Sequence, residues 1–420
     1  MDFDTIIREQ REELERIGKQ EILVPREKLG DAERALKFPN ILAVLGVRRC
    51  GKSIFSYLLA KGGAFGYVNF DDERLLGAKA EDLNLILESF YRLYGDVEFV
   101  VLDEAQNVRG WELFANRLRR TKKVILTGSN SNLLSGELAT HLTGRHSDAV
   151  LFPFSFREFI KLKKFGESAA YTTKEKAMLL RLLEEYLRDG GFPEVQKFGG
   201  RTASLIYEDI LAKDILLRHK IKKIEEMRKL ARYLVTNSAK EFSYAKTAKL
   251  LSIKHVATMS KWTGYLEEAF LVFRVERFDF KLKRQFLAPK KIYCIDTGMM
   301  GAAGFRVSEN RGVLIENAVA VELRRRAQWN EEIYYWKDYQ HSEVDFVVKA
   351  GEKIRQLIQA SYANSREDIR EREPNALIKA SRALRCRDLL IITWGYEGTI
   401  AAKGHRIKCT PLWKWLLAGR

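Results

Sequence analysis

Residues 41–60, ILAVLGVRRCGKSIFSYLLA, carry the strongest structural signal in the chain. An apolar run comes first, the spacing G-x-x-x-x-G-K-[ST] follows over Gly46–Ser53, and an amphipathic segment comes next. This order predicts a buried strand, a tight glycine turn, and a helix whose amino terminus directs backbone N–H groups at phosphate. A phosphate-binding loop explains the stretch better than an ordinary strand-to-helix turn.

The loop supplies most of the expected contacts to a nucleotide and to its Mg²⁺ ion. Lys52 would bridge β- and γ-phosphate oxygens, and the hydroxyl of Ser53 would hold Mg²⁺. The cofactors expected from the sequence are therefore ATP and Mg²⁺. The expected nucleotide contacts in the loop are Gly46, Val47, Arg48, Arg49, Cys50, Gly51, Lys52, Ser53 and Ile54.

Two adjacent carboxylates follow a second apolar run, EFVVLDE, which ends at Glu104. Asp103 at the end of that strand can hold Mg²⁺ through water, and Glu104 can orient and polarise the attacking water. Because these acids come 51 residues after Lys52, the pair indicates an NTP hydrolase rather than a nucleotide-binding protein alone.

Two further candidates are polar residues near the next strand, VILTGSN. Asn130 is either a γ-phosphate sensor or a cap for the following helix. Arg145 is either an arginine finger that stabilises charge in the transition state or an arginine that ties down a loop. The catalytic candidates are thus Lys52, Glu104 and Arg145.

Short apolar runs alternate with amphipathic ones from residue 40 onward, which predicts βαβ units around a buried parallel sheet. The predicted fold is α/β in four parts. These are a P-loop core with an amino-terminal helix (1–152), a helical lid (153–218), a winged helix-turn-helix (219–288) and a carboxyl-terminal α/β domain (289–420).

Composition narrows the class of protein. The 420 residues are 46% hydrophobic and 31% charged, which excludes disordered, collagen-like and disulfide-scaffold proteins. The four cysteines show no C-x-x-C spacing, so we expect a reducing cytoplasm and no structural zinc. No secretion signal or membrane span is apparent, and we expect no membrane partner.

The net charge of +17 is localised, because residues 201–290 contain 20 Lys or Arg and 10 Asp or Glu. This predicts duplex DNA as a partner; a charged thermophile surface is the alternative explanation. The third helix of the winged helix would lie in a major groove; a helical adaptor with a solvated basic face is the other interpretation. The candidate DNA contacts are Lys254, His255, Thr258, Lys261, Lys281, Lys283 and Arg284.

The stretches GVRRCGKS, YVNFDDERL, VLDEAQNV, LTGSNSNLL, LTGRHSDAVLFPFSFREF, YLRDGGFPEV, ENAVAVEL and SEVDFVV occur in this order. Together they resemble archaeal and bacterial AAA-type ATPases that end in a restriction-endonuclease-like domain of unknown function. The resemblance implies the phosphate loop at Gly46–Ser53, metal and catalytic acids at Asp103 and Glu104, a sensor at Ser129–Asn130 and a family arginine at Arg145.

The same resemblance implies a second metal site in the last domain, at Glu316 and Asp345. Restriction-like nucleases add a strand with Glu-x-Lys, whose lysine helps to activate water. This chain has Gln359, Ala360 and Ser361 there, so we expect a degenerate domain that binds DNA or protein. Glu343 and Lys349 are nearby substitutes.

The sequence therefore predicts Mg²⁺-dependent ATP hydrolysis coupled to conformational change in a DNA-associated protein. A nucleotide-switched ATPase that binds protein partners, of a signalling or defence type, is the alternative. An ATP-dependent nuclease is a third. An arginine finger acting between subunits would require an oligomer.

Overall fold

A computed structural model describes residues 2–131, 144–168, 170–303 and 311–419. The chain divides into two compact units. The first contains residues 1–154 with 268–270, and the second contains residues 155–267 with 271–420. No helix in the described ranges is long and apolar enough to cross a membrane.

The first unit is built on a five-stranded parallel sheet in the order β2-β3-β4-β1-β5. Strands β1 and β3 are apolar runs that are buried along their whole length, as expected for strands covered on both faces. The strands are β1 (Ile41–Gly46), β2 (Phe65–Asn69), β3 (Phe99–Asp103), β4 (Lys123–Gly128) and β5 (His146–Leu151).

The strand order confirms the predicted parallel P-loop sheet and adds one detail. Because β4 lies between β1 and β3, the residues that follow β4 lie between the phosphate loop and the two acids. The helices of this unit are Phe3–Gln20, Leu29–Ala35, Lys52–Ala60, Asp82–Tyr94 and Trp111–Leu118, with single 3₁₀ turns at Glu73–Leu75 and Ala105–Asn107.

The amino-terminal helix Phe3–Gln20 packs on the first unit through one apolar face. Phe3, Ile6 and Ile7 are buried in the same core as strands β1 and β3. Gln10 donates to the backbone carbonyl of Asn69 at 3.1 Å, so the helix is also hydrogen-bonded to the end of β2.

The second unit begins with helices whose amino termini are capped by side chains. Ser155 and Glu158 form a capping box at the start of the first one, and Thr172 and Glu175 form another; such boxes satisfy backbone N–H groups that the helix leaves free. This helical segment contains Phe156–Leu162, Thr173–Asp189, Pro193–Phe198, Arg201–Asp209 and the π-helical turn Ile210–Leu217.

Four helices and three strands follow, in the order helix, strand, helix, helix, strand, helix, strand. Strand β8 pairs antiparallel with both β6 and β7. The assignment of this part of the chain to a winged helix stays a prediction. The elements are Ile224–Thr236, β6 (Glu241–Phe242), Tyr244–Leu250, Val256–Glu268, β7 (Val272–Arg277), Leu282–Leu287 and β8 (Lys290–Cys294).

The remaining strands extend this sheet. Strand β7 pairs in parallel with β9 at Glu276 and Arg277, giving the order β13-β14-β12-β11-β10-β9-β7-β8-β6. The boundary predicted at residue 288 therefore falls within one continuous sheet. The strands are β9 (Glu331–Lys337), β10 (Glu343–Ala350), β11 (Lys353–Ala360), β12 (Leu389–Thr393), β13 (Gly398–Ala402) and β14 (His405–Pro411).

Helices flank these strands and complete the last α/β part of the chain. The helix Arg372–Leu384 buries Leu377 and Ala380 in one apolar core with Val347 of β10 and Leu357 of β11. The helices of this part are Thr297–Ala302, Arg311–Arg326, Arg372–Leu384 and Leu412–Leu417.

Candidate functional site

The phosphate loop turns where its glycines permit backbone angles that other residues avoid. Gly46 has φ 154° and Gly51 has φ 97°, and a β-carbon on Gly46 would lie 2.1 Å from the carbonyl oxygen of Leu151. The helix Lys52–Ala60 begins directly after Gly51. Its amino terminus therefore faces the loop, which is the geometry that binds phosphate.

Lys52 is 6% exposed, and its ammonium group lies inside the loop. It donates to the carbonyl oxygens of Gly46 at 3.2 Å and Val47 at 3.4 Å. The same Nζ is 3.4 Å from Oε1 of Glu104. The sequence-predicted lysine and catalytic acid are thus brought together at one point.

Asp103, the last residue of β3, is buried among hydroxyl groups. Tyr67 donates to its Oδ2 at 2.7 Å and Thr127 donates to its Oδ1, while the hydroxyl of Ser53 lies close enough to lower the pKa of the carboxyl group. Burial and the charge of Glu104 outweigh these donors and raise the pKa of Asp103. Ser53 and Asp103 therefore present adjacent oxygen atoms, the ligands that Mg²⁺ prefers.

Glu104 is held in a left-handed backbone conformation, with φ 52° and ψ 46°. Gln106 donates to its Oε2 at 2.5 Å, and the N–H and hydroxyl groups of Ser129 each donate at 3.1 Å. Burial would raise the pKa of Glu104, but the charge of Lys52 and these donors hold it at about 2. The carboxylate is therefore ionised, as a general base must be.

The end of β4 joins the two halves of the site. Thr127 accepts the backbone N–H of Glu104 at 3.0 Å and donates to Asp103. Asn130 follows Ser129 and is half-buried; the segment it would cap lies outside the described residues, so both interpretations of Asn130 stay open. The sequence prediction did not include Thr127. Its position near the end of β4, the strand next to the phosphate loop, could have indicated a role in the site.

The other loop residues differ in exposure. Val47 and Cys50 are buried, Arg48 and Ile54 are half-buried, and Arg49 is exposed. Arg48 pairs with Asp71 at 3.0 Å, which places the acidic turn after β2 beside the loop. Burial raises the pKa of the Cys50 thiol, so this cysteine is a packing residue and not a reactive one.

The structure places Arg145 at the edge of the sheet opposite the phosphate loop. Its carbonyl oxygen accepts the N–H of Ile41, the first residue of β1. The loop follows the last residue of β1, and six residues of strand span about 20 Å at about 3.3 Å per residue. Arg145 therefore lies far from the nucleotide site of its own chain. Its role as an arginine finger, in cis or in trans, stays a prediction, as does its role in tying down a loop.

Arg26 supports the phosphate loop from behind and was missed by the sequence analysis, because no motif marks it. It is 7% exposed. Its guanidinium donates to the carbonyl oxygens of Cys50, at 2.9 Å, and Phe152, and lies 4.9 Å from the ring of Phe154. The residue therefore joins the loop to the segment after β5.

Replacing Arg26 is expected to destabilise the first unit. Arg26→Met should lower the free energy of unfolding by about 2–4 kcal/mol, because two buried carbonyl groups lose a charged donor. Urea denaturation of the full chain would measure the loss. Arg34→Met is the control, since Arg34 is exposed and pairs with Asp31 on the surface. A loss as large for Arg34→Met would contradict the assignment.

The first four candidate DNA contacts lie at the helix Val256–Glu268: two precede it and two belong to it. Lys254, His255 and Lys261 are exposed and Thr258 is half-buried. Trp262, on the same helix, is buried, as expected for a core residue. The exposed basic residues therefore lie on a packed helix and in the segment directly before it.

The other three candidate DNA contacts lie at a short helix, Leu282–Leu287: Lys281 precedes it, and Lys283 and Arg284 belong to it. Lys281, Lys283 and Arg284 are exposed as expected. The sequence analysis missed their apolar neighbours, which are exposed as well; these are Phe280, Leu282, Phe286 and Leu287.

The second predicted metal pair, Glu316 and Asp345, is brought together, but a lysine lies between the two side chains. Lys291 Nζ is 2.8 Å from Glu316 Oε1 and 3.2 Å from Asp345 Oδ1. Of the two proposed substitutes, Glu343 contacts the same lysine at 2.7 Å, whereas Lys349 pairs with Glu332. Among the described residues no group of His, Cys, Asp or Glu is arranged to hold a metal.

The sheet order, the phosphate loop at the end of β1 and the ionised Glu104 beside Lys52 define a P-loop ATPase, a nucleotide-binding enzyme. Residues 39–160 match the AAA domain family. Residues 180–310 and 311–415 match two domains of unknown function, DUF8612 and DUF4143. The chain belongs to the AAA-type P-loop ATPases that end in such a domain.

Relatives span both units of the chain. The uncharacterized protein MJ1544 of Methanocaldococcus jannaschii is 34% identical over 399 residues, covering 90% of this chain and 89% of the relative. An uncharacterized protein of Haemophilus influenzae is 29% identical over 336 residues, covering 75% and 80%. Among solved structures, the Walker-type ATPase PABY2304 of Pyrococcus abyssi is similar with a TM-score of 0.45 and 17% identity, covering 67% of this chain and 96% of that one.

Proposed function

We propose that this ATPase binds duplex DNA through the basic surface of its second unit, and that ATP hydrolysis changes how that surface is presented. The observation that carries the proposal is the group of exposed basic residues Lys254, His255 and Lys261. It lies within the segment 201–290, which holds +10 of the +17 net charge. Concentrated positive charge of this kind favours a polyanionic partner.

Hydrolysis would use the residues already placed around the loop. Lys52 would bind the β- and γ-phosphates, and Glu104 would orient the attacking water and accept its proton. Ser53 and Asp103 would hold Mg²⁺, which neutralises charge on the phosphates when it is bound. Asn130, next to Ser129, is suited to contact the γ-phosphate.

The coupling predicts that duplex DNA stimulates ATP hydrolysis. Steady-state phosphate release should rise several-fold when duplex is added at low salt, and the rise should fall as salt increases because the contacts are electrostatic. Single-stranded DNA and the inactive variant Glu104→Gln serve as controls.

Hydrolysis that is indifferent to DNA at low salt would reject the coupling and favour the alternative, a nucleotide-switched ATPase that binds protein partners. One observation supports that alternative: Phe280, Leu282, Phe286 and Leu287 are exposed together. Exposed apolar clusters of this kind occur at protein interfaces. Partner capture that depends on ATP and is insensitive to DNA would distinguish it.

A further inference from the structure

Lys291 is a buried cation at the centre of the acidic cluster in the last α/β part of the chain. Its side chain is 2% exposed. Its Nζ lies 2.8 Å from Glu316 Oε1, 2.7 Å from Glu343 Oε1 and 3.2 Å from Asp345 Oδ1. Three carboxylates from the helix Arg311–Arg326 and strand β10 therefore point at a single ammonium group.

Neighbouring groups donate further hydrogen bonds to Glu316 and Asp345. Tyr293 donates its hydroxyl to Glu316 Oε1 at 2.8 Å. Gln359 donates to Asp345 Oδ2 at 2.6 Å, and the N–H of Ala360 donates to the same oxygen at 3.0 Å. Both oxygens of Asp345 are thus already hydrogen-bonded, one to Lys291 and the other to β11.

The protonation of Lys291 agrees with its position among three carboxylates. Burial would lower the pKa of Lys291, but the three carboxylates raise it well above its usual value, so the amine is protonated. A buried cation of this kind is stable only when its charge is matched by fixed anions. The carboxylates therefore hold Lys291 through hydrogen-bonded ion pairs.

These residues do not fit the divalent metal that the restriction-like resemblance implies. A Mg²⁺ ion needs several oxygen ligands at about 2.0–2.1 Å around one point, and here Nζ of Lys291 takes that point. Gln359 stands where a third acid is expected, and it supplies a donor to Asp345. The cluster is therefore arranged around an amine.

We propose that the Lys291 ammonium is a built-in cation that takes the place of a divalent metal in the carboxyl-terminal site and keeps that site metal-free. The lysine comes from β8, which pairs with β6 and β7, and not from the strand β11 where a nuclease carries its Glu-x-Lys. The lysine thus excludes metal-dependent cleavage and ties β8 to the helix Arg311–Arg326 and β10.

Mn²⁺ titration of the nucleotide-free, full-length protein, followed by electron paramagnetic resonance, tests this proposal. Wild type and Asp345→Asn should bind Mn²⁺ alike, because Asp345 holds no metal. Lys291→Met should gain about one Mn²⁺ per chain, and the double variant with Asp345→Asn should lose that gain. Lys349→Met is the matched control, since that lysine lies on β10 and pairs with Glu332 instead; it should gain none.

Three outcomes would overturn the proposal. Mn²⁺ bound by wild type and lost in Asp345→Asn would show that the site holds metal beside Lys291. A folded Lys291→Met that gains no Mn²⁺ would show that the lysine does not stand in for a cation. Mn²⁺-dependent cleavage of plasmid DNA by wild type, lost in Lys291→Met, would make Lys291 part of a nuclease. If Lys291→Met does not fold, equal Mn²⁺ binding by wild type and Asp345→Asn supports the proposal.

Discussion

Glu104→Gln is expected to lower the rate of ATP hydrolysis by about 10²- to 10⁴-fold while ATP binding is retained. A positioned general base contributes a factor of this size, and an amide cannot accept the proton of the attacking water. The substitution keeps the shape of the side chain, so the phosphate loop and Lys52 remain in place to bind nucleotide. Steady-state phosphate release and calorimetric titration with ATP would measure the two effects separately.

The structure supplies a matched control for this variant at the other end of the same strand region. Glu98 precedes β3 and is half-exposed, and it pairs with Lys123 on the surface at 2.7 Å. Glu98→Gln should therefore leave hydrolysis unchanged. If Glu104→Gln retained hydrolysis within a few-fold of wild type, another group would have to be the base.

Glu104 is already oriented and ionised in the structure, which is why its substitution is expected to lower the rate of hydrolysis so strongly. Ser129 and Gln106 hold one carboxylate oxygen, and Lys52 lies 3.4 Å from the other. The carboxylate is therefore ionised and oriented before ATP binds, so little reorganisation remains for the chemical step. Glutamine at position 104 would keep the orientation and lose the charge.

The double variant Lys254→Glu/Lys261→Glu is expected to bind duplex DNA about 10- to 100-fold more weakly than wild type. Each phosphate contact by a lysine releases a counterion and adds about 0.9 to the slope of log affinity against log salt. Reversing two such charges should therefore also lower that slope by about two. Fluorescence anisotropy of a labelled duplex at several salt concentrations measures both quantities.

A control with the same change in net charge separates local contacts from overall electrostatics. Lys174 and Lys176 are exposed on the helix Thr173–Asp189, so Lys174→Glu/Lys176→Glu changes the total charge equally. This control should cost much less affinity. Equal losses in both double variants would mean that the helix Val256–Glu268 is not the contact surface, and absence of binding at low salt would reject the DNA partner.

Motifs that work through neighbouring residues were predictable from sequence. The loop Gly46–Ser53, its strand and its helix follow from local spacing, because glycine angles and helix termini depend on a few consecutive residues. Asp103 and Glu104 were predictable for a similar reason, since they end an apolar strand. The exposure of Lys261 on a helix that buries Trp262 agrees with helical periodicity.

Other features depend on which segments meet after the chain has folded. Arg145 lies within a family motif, yet it directly precedes β5, which runs parallel to β1. It therefore lies at the edge of the sheet away from the phosphate loop of its own chain. Thr127 and Arg26 reach the site because β4 inserts between β1 and β3 and because the segment before β1 returns beneath the loop. The spacing of residues along the chain does not predict these contacts.

Lys291 shows the difference most clearly. The sequence alone shows that residues 359–361 lack the Glu-x-Lys of a nuclease, because the residue types at these three positions are known directly. The sequence could not predict that a lysine from β8 contacts these carboxylates. Its partners lie 25 and 54 residues away along the chain, so the position of its amine depends on strand pairing. A motif such as Glu-x-Lys, or its absence, can therefore be recognised from consecutive residues. The residues that contact a buried charge depend on how the strands of the whole sheet pair and pack.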